Sequence, residues 1–451
     1  MMERPAVPPQ DRRRRAPRPR HAVLLVLLPV VVVALVVALP GDDQPGRDEA
    51  ADCSAVRAER VRPDRKITET FARYGDDGSR TDDWTGGDGT RSVRLPDGRT
   101  LWLFADTFLD RVHPGGRRVP QPVWVRNSVV VTSPAGRPRS TLTGDLPAAD
   151  GRPTALFPGT ATPDGREVWR WPADAVVEPR RPGSGERVVR VLLWQREAAG
   201  APWLFGVPRA TEVATLSLPG LRLENLREVH RPPPSSPPGD RVLWGTSAVR
   251  DGGWTYVFGA DERGTEGGGP SRTYVARAPR GSLDDPAAWR YRTGAGWSPD
   301  GTAARPMDVA TRRPDTAEGG AARGAGSAVT NTYTVTRHGG TWLLISMDAG
   351  GPDGRPSQTV VSYWSCTPHG PWHGPDAVTV PGLPPGGRQA GATAYNVQAH
   401  GDHDGRGLLL SYDVNVLGDP SAVQADVARY RPRFLRVGLA PEDGGRPDRP
   451  G

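Results

Sequence analysis

The chain has 451 residues and a net charge of +7, but seven Arg fall within residues 1–21 against only Glu3 and Asp11. The remainder is close to balanced, which excludes a basic nucleic-acid face. The 56 Gly and 49 Pro approach the content of a disordered chain, yet 14 Trp require packed structure; many short strands joined by Gly/Pro turns satisfy both.

Residues 1–21 read as a basic cytoplasmic head. "AVLLVLLPVVVVALVVAL" follows, Ala22–Leu39, with no charge in 18 residues. It fits a transmembrane anchor, or the core of a secretory signal with Val36 and Ala38 before cleavage. Either reading exports the rest, to the outer membrane surface or the medium. Residues 40–65 are polar and read as a linker. In an exported protein Cys53 and Cys366, the only two cysteines, are expected to form one disulfide; two unpaired thiols are the alternative. Two cysteines so far apart make no zinc pattern, and no metal or cofactor is expected.

No long amphipathic helix stands out beyond the apolar run, and the remaining chain repeats one plan. "DGTRSVRLPDGRTLWLFAD" (Asp88–Asp106), "WGTSAVRDGGWTYVFGAD" (Trp244–Asp261), "NTYTVTRHGGTWLLISMD" (Asn331–Asp348) and "YNVQAHGDHDGRGLLLSYD" (Tyr395–Asp413) share it. Each runs from a first strand through Asp-Gly or Gly-Gly into an apolar strand that closes on Asp. Such dipeptides between β-rich runs predict hairpins, because glycine takes the positive φ the turn needs. "REVWRWPADAVVE" leading into "RVVRVLLWQRE" is a looser fifth unit, ending at Gln195. With the strand-like pieces "NSVVVTS", "RTYVARAP", "TVVSYWS" and "DVARYRP", the units predict four-stranded blades. The expected fold is therefore all-β, a five-bladed β-propeller over residues 66–437 with a disordered tail over 438–451. A large β-sandwich or a two-domain β protein is the alternative.

Antiparallel pairing about Asp97-Gly98 brings Asp88 and Asp106 to the same end of the first hairpin. Two carboxylates at a channel mouth suit acid–base or nucleophilic work on a glycosidic bond, one kept protonated and one ionised. The plainer reading is that Asp at strand ends caps turns. Trp171, Asp174, Tyr395 and Asn396 sit at unit starts, as do Trp244, Asn331 and Tyr333. There Trp171, Asp174, Tyr395 and Asn396 are candidate substrate contacts, with packing between blades as the alternative. His400 and Asn127 are further candidates, against a solvated turn histidine and a structural turn. No G-x-S-x-G elbow, P-loop or H-E-x-x-H occurs, and the Ser-x-Asp-x-Gly-x-x-x-Trp boxes of sialidases are missing.

Several stretches together resemble a family. They are "GDGTRSVRLPDGRTLWLFADTFLD", "RNSVVV", "WPADAV", "WGTSAV" with "TYVFGAD", "TYVARAPRGSLDDPAAWRY", "SYWSCTPHGPW" and "YNVQAH" with "LLLSYDVN" and "RYRPRF". The chain is similar, from about Thr81 to Val437, to a secreted actinobacterial propeller family, domain of unknown function 4185. Some members of that family are endo-acting D-arabinan hydrolases. The resemblance implies a five-bladed propeller akin to arabinanases and levansucrases, with Asp88 and Asp106 as the acid pair. Two departures are Ala105, where glycine is usual, and "DDWTGGDG" before the pair. The expected function is an exported, monomeric, glycoside hydrolase-like propeller acting on a cell-envelope or environmental polysaccharide, an arabinan-like furanoside among the candidates. The alternatives are a non-catalytic glycan-binding propeller and a cell-surface interaction propeller.

Overall fold

The computed structural model describes residues 53–77, 79, 83–109, 123–263, 270–309, 329–350, 358–388, 390–401, 407–417 and 419–441. The basic head, the Ala22–Leu39 run, the Asp404-Gly405 turn and the chain after residue 441 lie outside them. Among the described residues no helix is long and apolar enough to cross a membrane.

Among the described residues the structure is all-β, with five main antiparallel sheets in chain order. The first pairs Arg91–Arg94, Thr100–Phe104, Ser128–Thr132 and Pro138–Leu142. The second is built on Glu167–Pro179, Arg187–Glu197, Val207–Ser217 and Leu223–His230, with the short Thr160–Ala161 at one edge. The third begins with Leu243–Asp251 and Trp254–Ala260, and the fourth with Thr334–His338 and Thr341–Met347. The fifth joins Thr393–His400, Leu408–Asn415 and Arg433–Pro441 to Val56–Pro63 from the start of the described chain. A three-stranded sheet, Trp84–Gly87, Thr107–Leu109 and Val123–Val125, adjoins the first.

The first long strand of each sheet packs against its counterpart in the next. Arg91–Arg94 touches Glu167–Pro179, which touches Leu243–Asp251, then Thr334–His338, then Thr393–His400, and the last returns to Arg91–Arg94. A separate apolar cluster fills each junction between successive sheets. Because each sheet has a neighbour on both faces, Thr100–Phe104 and Thr341–Met347 are buried at every residue. This explains why their sequences run apolar without alternating. Trp84, Trp244, Trp289 and Trp372 are fully buried in these junctions, so many of the tryptophans are core. Truncating one, as in Trp244→Ala, costs about 3–5 kcal/mol.

The hairpin turns form where the glycines predict: Gly98, Gly252 and Gly339 have φ of 85°, 52° and 58°. Three expectations are corrected. The linker ends early, because Val56–Pro63 is an edge strand paired with Arg433–Pro441, and Cys53 is bonded to Cys366 beside the fourth sheet. The stretch after it is the helix Arg65–Gly75, capped by the Asp64 carboxylate accepting from the Ile67 amide and anchored by buried Phe71. "DVARYRP" is a 3₁₀ turn, Val427–Tyr430, and the strand lies beyond Pro432 at Arg433–Pro441. Proline lacks the amide a ladder needs, so the strand starts after it.

Candidate active site

A cavity of about 310 Å³ lies among these first strands, and Asp88 and Asp106 both line it. The first hairpin narrows to bring them together. The Ala105 amide donates to the Asp88 carbonyl at 2.7 Å, and the Asp88 amide to the Asp106 carbonyl at 3.3 Å. Gly89 permits this approach: its φ is +65°, and a Cβ there would lie 2.9 Å from that of Ala105.

The carboxylates have different neighbours. Asp88 Oδ2 accepts from the Tyr395 hydroxyl at 2.7 Å. Burial pushes Asp88 up to about 6, opposed by hydrogen bonds from Tyr395 and Tyr430 and by the charge of Arg91. Asp106 Oδ1 accepts from the Trp171 indole N–H at 2.8 Å, and its Oδ2 lies 3.6 Å from the Arg126 guanidinium. Burial and then the charge of Asp88 push Asp106 up to about 7, against Arg126 and Trp171.

Two more raised carboxylates lie near Arg91: Asp413, beside Asp88, and Asp174. Asp413 is 2% exposed; it accepts from the Gly89 amide at 2.7 Å and the Thr90 hydroxyl at 2.9 Å. Burial and the charge of Asp88 push it up to about 7. Asp174 accepts from the amides of Ala175 and Ala248, at 2.8 and 2.7 Å, and so ties the second sheet to the third. Burial raises it to about 6. Buried Arg91 sits in the field of Asp174, Asp413 and Asp88; its Nε donates to the Ala173 carbonyl at 2.5 Å.

Trp171, Tyr395 and Asn396 line the cavity as expected from their unit-start positions, and so does Asn331. Register shifts at Pro172/Asp174 and Tyr395/Gln398 bulge the strands there, and Asn396 has φ of 50°. Such bulges re-aim side chains, here at the opening. Other candidates go elsewhere. Asp174 is the sheet tie already described and does not line the cavity. His400 is 1% exposed, with Nδ1 on Ser92 and Nε2 on Ser411, both at 2.8 Å, and Trp102 beside its ring. It braces the first sheet against the fifth. Asn127 is fully buried and spans three backbone groups: its amide donates to the Phe157 and Arg170 carbonyls, and its oxygen accepts from the Phe157 amide. Trp244 and Tyr333 are core, and Gln195 is buried against Glu212.

Sequence reasoning missed Arg126, Tyr430, and the buried pair of Arg196 and Glu262 on the cavity wall. Arg196 also donates to the Phe205 and Gly206 carbonyls, at 2.7 and 2.8 Å, fixing the loop at the rim. The available signals were adjacency to motif residues, Arg126 before Asn127 and Glu262 after Asp261. Among the described residues no group of three His, Cys, Asp or Glu is arranged to hold a metal ion.

No curated protein matches the sequence. Solved structures do. A protein of Bacteroides ovatus, named a hydrolase by inference, matches at 18% identity and TM-score 0.59, over 89% of this chain and 96% of that one. A thermostable family-43 glycoside hydrolase matches at 12% identity and TM-score 0.37, over 81% and 95%. A levansucrase mutant of B. subtilis matches at 11% identity and TM-score 0.43, over 82% and 86%. The first of these likenesses establishes a shared fold. The resemblance read from the sequence named another domain of unknown function; the family model that matches, over residues 70–439, is domain of unknown function 5005, and the chain belongs to that family.

Proposed function

We propose that the chain is a glycoside hydrolase, with Asp106 as the proton donor and Asp88 as the anionic partner. The observation that carries this reading is the pair itself: two partly buried carboxylates in one cavity, both raised toward neutrality, in unlike surroundings. Two phenol donors favour the ionised form of Asp88. Asp106 sits beside that negative charge and holds its proton to higher pH. An acid matched to neutral pH transfers a proton to a leaving oxygen effectively. Trp171 and Tyr395 add aromatic surface suited to the C–H faces of sugar rings.

In this reading the five sheets are the blades of a five-bladed propeller, and the pair stands at its axis. The substrate is a polysaccharide of the cell envelope or surroundings, with an arabinan-like furanoside the first candidate. The chain is exported and works as a monomer, anchored through Ala22–Leu39 or released. The test is to incubate the purified full-length chain, in detergent, with arabinan, β-1,3-galactan, xylan and levan and to measure reducing ends. Release from one polymer that Asp106→Asn abolishes supports the reading. Equal release by the variant rejects it, and binding without release by either protein favours a glycan-binding role.

A further inference from the structure

Among the described residues the large exposed hydrophobics are Trp124, Leu146, Leu204, Phe205, Val380 and Leu417. Phe205 and Leu417, 44% and 47% exposed, line the cavity, and Leu204 adjoins Phe205. Trp124, 43% exposed, reaches the pair through one residue. The Arg126 guanidinium lies 4.3 Å from the Trp124 ring and 4.1 Å from the Trp169 ring, and extends to Asp106 at 3.6 Å. Glu167 holds this cation through two bonds, at 2.9 and 2.7 Å.

The result is a column from solvent to the carboxylates: Trp124, Arg126, Trp169 and then Trp171, whose ring meets Trp169 edge-on at 5.6 Å. The indole of Trp124 is thus held in place on one face while much of it stays open to water. Folding gains little by holding a large aromatic ring in water, and this ring stands one residue, Arg126, away from a carboxylate that lines the cavity. Arg126 and half-exposed Glu167 set charged hydrogen-bonding groups at the edge of the flat apolar ring. A flat face with a polar edge matches a sugar ring, which shows C–H patches on its face and hydroxyls around its rim.

We infer that Trp124 is a platform for a sugar unit away from the bond cleaved, so that the protein engages a polysaccharide chain laid across the mouth, not a small glycoside held in the cavity. This rests on the hydrolase reading for the location of the cleaved bond, but its own test is binding. Its occupant is a further stretch of the polymer whose linkage lies at Asp88 and Asp106.

The experiment measures gel retardation of the full-length chain, in detergent, by arabinan, β-1,3-galactan, xylan and levan, beside reducing-end release from each polymer and from its disaccharide. Trp124→Ala should weaken retardation by the recognised polymer about 5-fold. It should lower kcat/KM on that polymer by a similar factor and leave the disaccharide unchanged. Trp124→Phe should restore most of the loss. Trp124 lies on an edge strand opposite Phe108, so thermal unfolding is followed in parallel. If Ala shifts it, Trp124→Leu, which keeps apolar bulk without a flat face, takes its place. Unchanged affinity, equal losses on polymer and disaccharide, or no retardation by any of the four polymers overturns the inference. Trp124-dependent retardation without release keeps it and rejects hydrolysis; release with Trp124-independent affinity does the reverse.

Discussion

Asp106 and Asp413 close the same repeated hairpin, one in the first sheet and one in the fifth, and both are pushed up to about 7. Their surroundings separate them. The Asp106 side chain is 19% exposed to the cavity and meets an indole N–H and a guanidinium. Asp413 is buried, with one oxygen on the Gly89 amide and the other on the Thr90 hydroxyl. It holds the turn that carries Asp88. A third copy, Asp261, is fully buried against Arg272. One motif therefore supplies a candidate acid, a brace for that acid's partner and an ion-paired strand end. A raised pKa alone does not separate these roles; access to the cavity does.

The contrast breaks most easily at Asp106. Asp106→Asn should lower reducing-end release by about 10²- to 10⁴-fold, the usual worth of a general acid, with the unfolding midpoint nearly unchanged. Asp413→Ala should instead show first in stability. It strands a buried amide and a hydroxyl, at a cost of about 2 kcal/mol measured by denaturant unfolding. If Asp413→Ala loses activity as fully as Asp106→Asn with no loss of stability, the two residues do not differ as described.

Smaller effects sharpen the same comparison through pH. Activity should form a bell limited by apparent values of about 6 and about 7, for ionising one member of the pair and deprotonating the other. Tyr395→Phe removes a donor that favours ionised Asp88, so the acid limb of the pH–rate profile should move upward; a downward move contradicts the assignment. For Asp413 the folded state binds its proton more tightly than the unfolded chain. The stability from this group is full below its ordinary value of 3.8 and declines as pH rises toward about 7. Asp413→Asn lacks that decline. Differential scanning calorimetry should find the midpoint of the variant gaining on the wild type between those limits, and a constant gap would show that Asp413 is not raised.

Much of the architecture was legible because its signals are local. Gly98, Gly252 and Gly339 marked turns through the φ that only glycine adopts easily, and the apolar runs after them marked strands. Trp171 and Tyr395 reached the cavity as their places at unit starts suggested. The helix Arg65–Gly75 was also readable, with Asp64 as its cap and Ile67 and Phe71 four apart. It was masked by the polar composition around it. His400 and Asn127 looked like ligand contacts because polar residues at strand ends are ambiguous. Only the sheets packed beside them supply Ser92 and Ser411 to one, and the Phe157 and Arg170 backbone to the other.

By itself the sequence determined the β class, the hairpins and the nearness of Asp88 to Asp106, since each depends on residues within one turn of the chain. The tertiary structure alone decided which carboxylates open to the cavity and which are ties. It also decided that Arg126, Tyr430, Arg196 and Glu262 belong to the site. The physical reason is distance along the chain. Asp413 meets Gly89 across 324 residues and Tyr395 meets Asp88 across 307, and contacts that long form only when the fifth sheet packs against the first.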